Sequence, residues 1–482
     1  MRHLSDIKNF ERCKKKFWNA LHHPQPFYPF VIYNESMVAL VQEKLHAKQC
    51  FIGSRNETNE MFFKQEKNYD TFFNVRFVYD GLRVKAPLLR KTKYGYILSF
   101  LYASCFPKES EATTIADTLW VLEKLQIKIS QVSVFHLVST YVRQDQLIAD
   151  ALLQEVTHLY NASNKPSASL QQLIEKRKRD VSPILKAMKK VEVCKDMPVE
   201  RTPLCTRRNK CVFFDMCFAE DAHTSIFHLV SSAHKFSLYK QGIHYIEDID
   251  FSQIEGTRHQ YAQYMAARSD KCFFDQPALH KFVSDIQYPI SYLDFEWETF
   301  AFPPYANMKP YDVLVFQYSL HIEHQHQQAL LHKEFLGKED CRVAFIEQLL
   351  ADIPKTGSIL CFNVEGAEKL RLCQLAKQYP QYAKQLQAIW ERMVDLAIPF
   401  SSGLIYDNKM AGSYSLKKLV SIFTDYSYED LAISHGLQAV QSYKGLESDE
   451  NEKVVENLLQ YCAMDTYAMY LLFHWIKKQL ME

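Results

Sequence analysis

Overall basicity is missing from this 482-residue sequence: 57 Lys and Arg stand against 56 Asp and Glu, a formal net charge of +1. A chain so balanced carries no global attraction for a polyanion, so any nucleic-acid surface must be built from local groups. Long apolar runs are missing too. No stretch approaches the ~18 uninterrupted apolar residues of a membrane span, and no apolar signal segment follows Met1-Arg2-His3-Leu4. The expectation is a cytoplasmic protein with no membrane partner. The sequence also lacks an internal repeat and a disulfide framework. Its 12 cysteines are scattered too unevenly for one, and a reducing compartment leaves them as thiols or metal ligands. What is present is a globular composition, 47% apolar and 23% charged, which excludes disorder as the main state. The length predicts two or three domains.

Along the chain, apolar residues at helical spacing (Ile7, Phe10, Phe17, Leu21) predict one helix from Leu4 to Leu21 with Ser5 as its N-cap. Between about 71 and 143, "FFNVRFVYDG", "LRVKAPLL", "YGYILSFLYAS" and "VSVFHLVSTYV" read as strands, and "ATTIADTLWVLEKLQI" as a helix among them. Residues 144–192 read as helical apart from the turn-like "NASNKPSAS". A helical connector follows over 219–286. The last stretch, 287–482, alternates again. "ISYLDFEW", "DVLVFQYSLHIEH", "ALLHKEFL" and "GSILCFN" are strand candidates. "CRVAFIEQLLADI", "AEKLRLCQLAKQY", "YAKQLQAIWERMV" and the final "NEKVVENLLQYCAMDTYAMYLLFHWIKKQL" are helix candidates. Three strands followed by helices and a further strand predict a mixed sheet covered by helices.

Carboxylates at element ends carry the chemistry. Asp294 and Glu296 are two apart in a strand and share one face. Like charges so placed repel unless a proton or a metal separates them. Glu368 stands at the first turn of the helix after "SILCFN", with Glu365 as a competitor. Tyr461 and Asp465 are four apart on the last helix, hence on one face. Asp395, in "RMVDL", is a further acidic candidate. Acids converging from two strands and two helices suit a pair of hard divalent cations, Mg²⁺ or Mn²⁺, for phosphodiester attack.

Asp-x-Glu on a first strand, an acid shortly after an Asn, and Tyr-x3-Asp on a late helix resemble the DEDDy 3′–5′ exonucleases, which have an RNase H-like fold. Through "YLDFE", "PPYANMKPYDVLVFQYSLH", "RMVDL", "GSYSLKKLV" and "YCAMDT", residues 288–480 resemble the RNase H-like domain of a bacterial domain-of-unknown-function family. The resemblance implies Asp294, Glu296, Glu368 and Asp465 as metal ligands and Tyr461 as the group that positions water. The second motif departs from the usual pattern: it has Glu for Asp, five residues after Asn363 rather than four.

Cys205, Cys211 and Cys217 are separated by five residues each. Three thiols at short spacing point to a metal centre needing a fourth ligand, for which Cys13 in "FERCKKKFW" is the candidate. With "LSDIKNFERCKKKFW" at the front, this arrangement resembles the RecB-like PD-(D/E)XK nucleases that hold a [4Fe–4S] cluster through one N-terminal and three C-terminal cysteines. Zinc is the alternative, because four thiolates serve either metal. The nuclease residues of that fold are not found where expected. The metal-binding Asp falls at Pro87, the Glu-x-Lys falls among Ser99, Phe100, Leu101 and Tyr102, and Thr118 stands near the place of a Gln. The first domain therefore reads as catalytically inactive unless a displaced acid such as Asp80 serves.

The fold class expected is α/β: an N-terminal RecB-like domain with its cysteine centre over 1–218, the connector, and a C-terminal RNase H-like domain. The function expected is a metal-dependent 3′–5′ exonuclease on DNA or RNA. Phosphate-tracking charge is sought at Lys14-Lys15-Lys16, Lys176-Arg177-Lys178-Arg179 and Arg207-Arg208. The alternatives are a non-catalytic nucleic-acid-binding or interaction protein built on nuclease-like folds, and nuclease chemistry in the first domain.

Overall fold

The computed structural model describes residues 1–24, 34–205, 210–219, 221–325, 329–428, 433, 436–446 and 452–481. The chain is mixed α/β, and it divides into two compact units. One comprises Met1–Ala219 with Phe300–Tyr311; the other comprises Glu220–Thr299 with Asp312–Glu482. All but the first residue of the stretch read as a separate connector thus falls inside the second unit. Its helices Arg258–Ser269 and Gln276–Ser284 flank a short strand, Phe273–Phe274, which pairs with Ile405–Tyr406. Among the described residues no helix is long and apolar enough to cross a membrane.

The first unit is built on a seven-stranded sheet. Thr71–Tyr79, Leu82–Thr92 and Gly95–Tyr102 form an antiparallel meander. Its first turn is Asp80-Gly81, with φ of 45° and 76°. Two consecutive positive φ values suit the right-handed twist of a two-residue hairpin, and Asp-Gly meets them at little steric cost. The helix Glu111–Lys124 then crosses over to Ile129–Leu137, which lies parallel to Gly95–Tyr102. The stretch 153–169 holds strands where helix and turn are expected: Leu153–Val156 joins the sheet edge, and His158–Tyr160 pairs with Pro166–Ser169.

The single helix expected from Leu4 to Leu21 is two. Leu4–Arg12 and Lys14–His22 are separated by Cys13, which is extended at φ −168° and ψ 126°. Helix periodicity continues through the break, so the apolar spacing gives no sign of it. Ser5 lies within the first turn and is not the cap.

The second unit holds a five-stranded sheet in the order Leu331–Leu336, Val313–Glu323, Ile290–Thr299, Ile359–Cys361, Met393–Asp395. The first three are antiparallel, and the last three are parallel. Val313–Glu323 is buried along its whole length, since the helices Arg342–Asp352 and Glu452–Gln479 both pack against it. That explains its near-continuous apolar run. The tail of "YAKQLQAIWERMV" is a correction to the helical expectation: the helix ends at Trp390, and Met393–Asp395 is a strand.

Glu323, at the end of its strand and 9% exposed, receives Tyr292 at 2.7 Å, Tyr288 at 3.1 Å and His474 at 3.0 Å. Burial alone raises its carboxyl, but the bonds from His474 and Tyr292 and the charges of His474 and Lys477 outweigh it, down to about 2. A carboxyl depressed in the folded state stabilises above its unfolded value and loses that contribution as pH falls through the folded one. Acid unfolding should therefore carry a contribution of about 2–3 kcal/mol lost between pH ~4.5 and ~2. Glu323→Gln should remove that part of the pH dependence in a thermal melt series.

Candidate functional site

The strand Ile290–Thr299 lies at the centre of the second unit's sheet, with Asp294 opposite Ser319 and Glu296 opposite Gln317. Directly after Glu296 the register slips by one residue, so that Trp297 faces Val315. Such a bulge ends the regular alternation at the residue whose carboxylate is needed. Glu298, the next acid, is paired with Lys444 at 2.6 Å; Asp294 Oδ2 instead meets Cys462 Sγ at 3.6 Å, and Asp294 and Glu296 both face Asp465.

One carboxylate oxygen from each of Asp294, Glu296 and Asp465 lies within 4.8 Å of the others. Glu296 is 8% and Asp465 9% exposed, while Asp294 is partly exposed. Glu368, 1% exposed, closes the group against Asp294. Burial pushes all four carboxyls above the ordinary range, and their mutual repulsion adds to it for Asp294, Glu296 and Glu368.

The loop before Glu368 explains why this acid, and not Glu365, turns inward. Asn363 has φ of 67°, and Asp395 accepts the backbone N–H of Asn363 at 2.9 Å, Val364 at 3.3 Å and Ala397 at 2.9 Å. Asp395 is thus the brace of the turn. Glu365 points outward and pairs with Lys369. Its competing claim is corrected by that geometry.

Tyr461 and Asp465 do share a face of the final helix. The Tyr461 phenol accepts from Lys417 Nζ at 3.1 Å, and it also hydrogen-bonds Asp465. Burial and then the Asp465 charge push the phenol well up, so it stays protonated. Two members went unrecognised from sequence. Tyr428 donates to Asp465 Oδ1 at 2.8 Å. Lys417, on Leu416–Phe423, lies 4.6 Å and 4.9 Å over the rings of Tyr461 and Tyr428, and its charge faces Asp465, Glu296 and Asp294. Lys417 sits inside "GSYSLKKLV"; a lysine beside an apolar helix face gives no warning of its role.

The donor set fits hard divalent cations. Four clustered carboxyls exceed what the Lys417 ammonium and the Arg371 guanidinium facing Glu368 neutralise, and among the described residues Glu368 Oε2 is buried with no hydrogen-bond partner. An orphaned buried carboxylate oxygen is costly unless a cation or proton meets it.

In the first unit, Cys13, Cys205, Cys211 and Cys217 line one pocket with Arg12, Lys15, Lys16, Phe213, Phe214 and Phe218. The helix break at Cys13 turns its thiol toward that pocket, where Sγ accepts from Lys16 N at 3.4 Å. Arg12 binds the Leu204 carbonyl at 2.9 Å, and Asn19 Nδ2 lies 3.7 Å from Cys217 Sγ. The two ends of the unit are tied together at this point. Among the described residues no three of the sulfurs come within 4.8 Å of one another.

Where the resemblance places nuclease residues, the structure has a buried Pro87 on Leu82–Thr92 and a hydroxyl network. Ser99 Oγ lies 2.7 Å from Ser133 Oγ, and Arg90 joins Ser99 at 3.1 Å and Glu155. Thr118 bonds its own helix at the Thr114 carbonyl. Asp80 pairs with Lys189 at 2.9 Å.

Of the basic groups, Arg179 is held by Asp117 at 2.8 and 2.7 Å and by Glu11, Lys178 faces Glu123, and Lys15 pairs with Asp196. Arg207 and Arg208 lie outside the described residues.

No curated protein and no solved structure matches the chain. Residues 291–415 match the family described as "Domain of unknown function (DUF2779)", a span that holds Asp294, Glu296, Glu368 and Asp395 and ends before Lys417, Tyr461 and Asp465.

Proposed function

We propose that the second unit is a metal-dependent 3′–5′ exonuclease of RNase H-like, DEDDy type, hydrolysing phosphodiester bonds of DNA or RNA. The observation that carries this reading is the approach of Asp294, Glu296 and Asp465 to within 4.8 Å, with Glu368 against Asp294 and a tyrosine one helical turn before Asp465. The central Asp-x-Glu strand, between antiparallel and parallel neighbours, supports the same assignment.

Asp294, Glu296, Glu368 and Asp465 would hold two divalent cations, Mg²⁺ or Mn²⁺. Such a pair supplies charge stabilisation to the attacking and leaving oxygens of an in-line displacement. The chain's own part is positioning. Tyr428 fixes Asp465 through one oxygen. Lys417 donates to the Tyr461 oxygen, which leaves the phenol proton to be given to a carboxylate or to an incoming water. Lys417→Met should lower cleavage by about 10²-fold, and Lys417→Arg should recover part of it, read as initial rates at fixed Mn²⁺.

For the cysteine pocket we read a [4Fe–4S] centre in preference to zinc. The resemblance implies that cluster, and zinc stays the alternative because four thiolates serve either metal. The flanking Arg12, Lys15 and Lys16 would offset thiolate charge. The first unit, with proline and hydroxyls in place of acids, serves as a scaffold.

The test pairs the two glutamates of the second motif. Glu368→Gln should abolish cleavage of a labelled single strand with Mn²⁺, whereas Glu365→Gln should leave it unchanged. Equal activity in both variants removes Glu368 from the site.

A further inference from the structure

The first unit holds a second concave site that neither the carboxylates nor the cysteines use. It is an open pocket of about 410 Å³ lined by His3, Arg55, Asn56, Arg76, Arg83 and Lys85 with Val84. The backbone explains its place. Pro87 has no N–H to give to the neighbouring strand, and the ladder pairs Phe73 with Leu88 and Val75 with Ala86 in unbroken register. Asn74 is left between them with φ of 54°. Its carbonyl accepts from Arg76 Nη1 at 3.0 Å, and the same nitrogen bonds the Ser54 carbonyl. Arg83 Nη2 bonds the carbonyls of Arg55 and Glu57. The two guanidiniums therefore fold residues 53–57 over the strand pair, which brings Arg55 close to Arg76.

Those bonds go to neutral carbonyls, so they cancel none of the positive charge. Among the described residues the carboxylate that faces Arg76 and Arg83 is Glu57. It is 2% exposed, and it lies so close under Gly53 that a Cβ there would fall 2.1 Å from its Oε2. It forms the floor, not the mouth. Lys85 is held below its ordinary range, first by burial and then by Arg76. Cations gathered at a wet opening and repelling one another are the complement of a multiply charged anion, and guanidinium forks match phosphate oxygens in particular.

We propose that this pocket binds a phosphate group, carried either by a nucleic-acid strand or by a small phosphate compound. The site shares no residue with the carboxylate cluster and does not depend on its assignment.

Binding is measured on the full chain in chelator, without divalent cations, using a fluorescent single-stranded oligonucleotide and, separately, inorganic pyrophosphate. Arg55→Gln with Lys85→Gln leaves the two loop-holding guanidiniums in place. The double variant should weaken binding at least about tenfold and lower the salt dependence of log K by about one to two. Lys44→Gln, outside the pocket's lining and paired with Asp150, should change neither. Loss of strand binding, with pyrophosphate competing in the unaltered protein, identifies a nucleic-acid backbone. Loss of pyrophosphate binding alone identifies a small phosphate compound. Equal binding of both probes by the double variant and the unaltered protein, or no binding by the latter, overturns the proposal. The carboxylate reading is untouched by either result, because no cleavage is measured.

Discussion

Asp294→Ala and Asp465→Ala should each lose at least about a thousandfold in Mn²⁺-dependent cleavage, some 4 kcal/mol of transition-state stabilisation. The size follows from the geometry. Both residues contribute oxygens to the 4.8 Å cluster, so removing either leaves the remaining acids with too few donors to keep cations beside a phosphate. A 5′-labelled strand should yield a ladder and a 3′-labelled strand should release its label at once, and both patterns should vanish in either variant. The folded state gives a control of opposite sign. Burial and mutual repulsion raise these carboxyls, so removing one relieves the cation-free protein. Asp294→Ala should therefore melt no lower than the unaltered chain in chelator while being inactive. Loss of activity accompanied by unfolding would indicate a structural role instead.

Cys211→Ser should produce the second large effect, on the first unit. Loss of a structural metal centre belongs to the few single changes that cost more than about 4 kcal/mol, and the four cysteines proposed to hold one come from both ends of the unit. The visible absorption of an iron–sulfur protein should disappear, and iron content by elemental analysis should fall with it. Zinc at one ion per chain, with no visible band, would overturn the cluster assignment while leaving the four-cysteine pocket in place. Cys373 is outside the pocket's lining, and Cys373→Ser should change neither colour nor metal content.

The strands and long helices of this chain are legible because their side chains alternate or repeat at fixed periods. Ile290–Thr299, Val313–Glu323 and the final helix Glu452–Gln479 each carry such a pattern. Tyr461 and Asp465 follow at once, since a spacing of four on a helix needs no tertiary knowledge. The choice between Glu365 and Glu368 is different in kind. It is made by a positive φ at Asn363 and three backbone bonds to Asp395 from over thirty residues away or just beyond it, none of which has a local signature. Lys417 and Tyr428 act only through tertiary approach. The break at Cys13 is hidden because apolar positions on both sides keep helical phase. Met393–Asp395 is a strand of three residues, too short to show alternation against the helix before it. Pro87 was legible as the absence of an acid, but the positive φ at Asn74 opposite it appears only once the strands are paired.

Mn²⁺ titration of the full chain by calorimetry, beside an Asp294→Ala/Asp465→Ala double variant, tests the central claim most directly. Hard oxygen donors in this number predict two ions bound per unaltered chain, and none at that site in the double variant. Identical titrations for the two proteins, or no heat with either, would contradict the account.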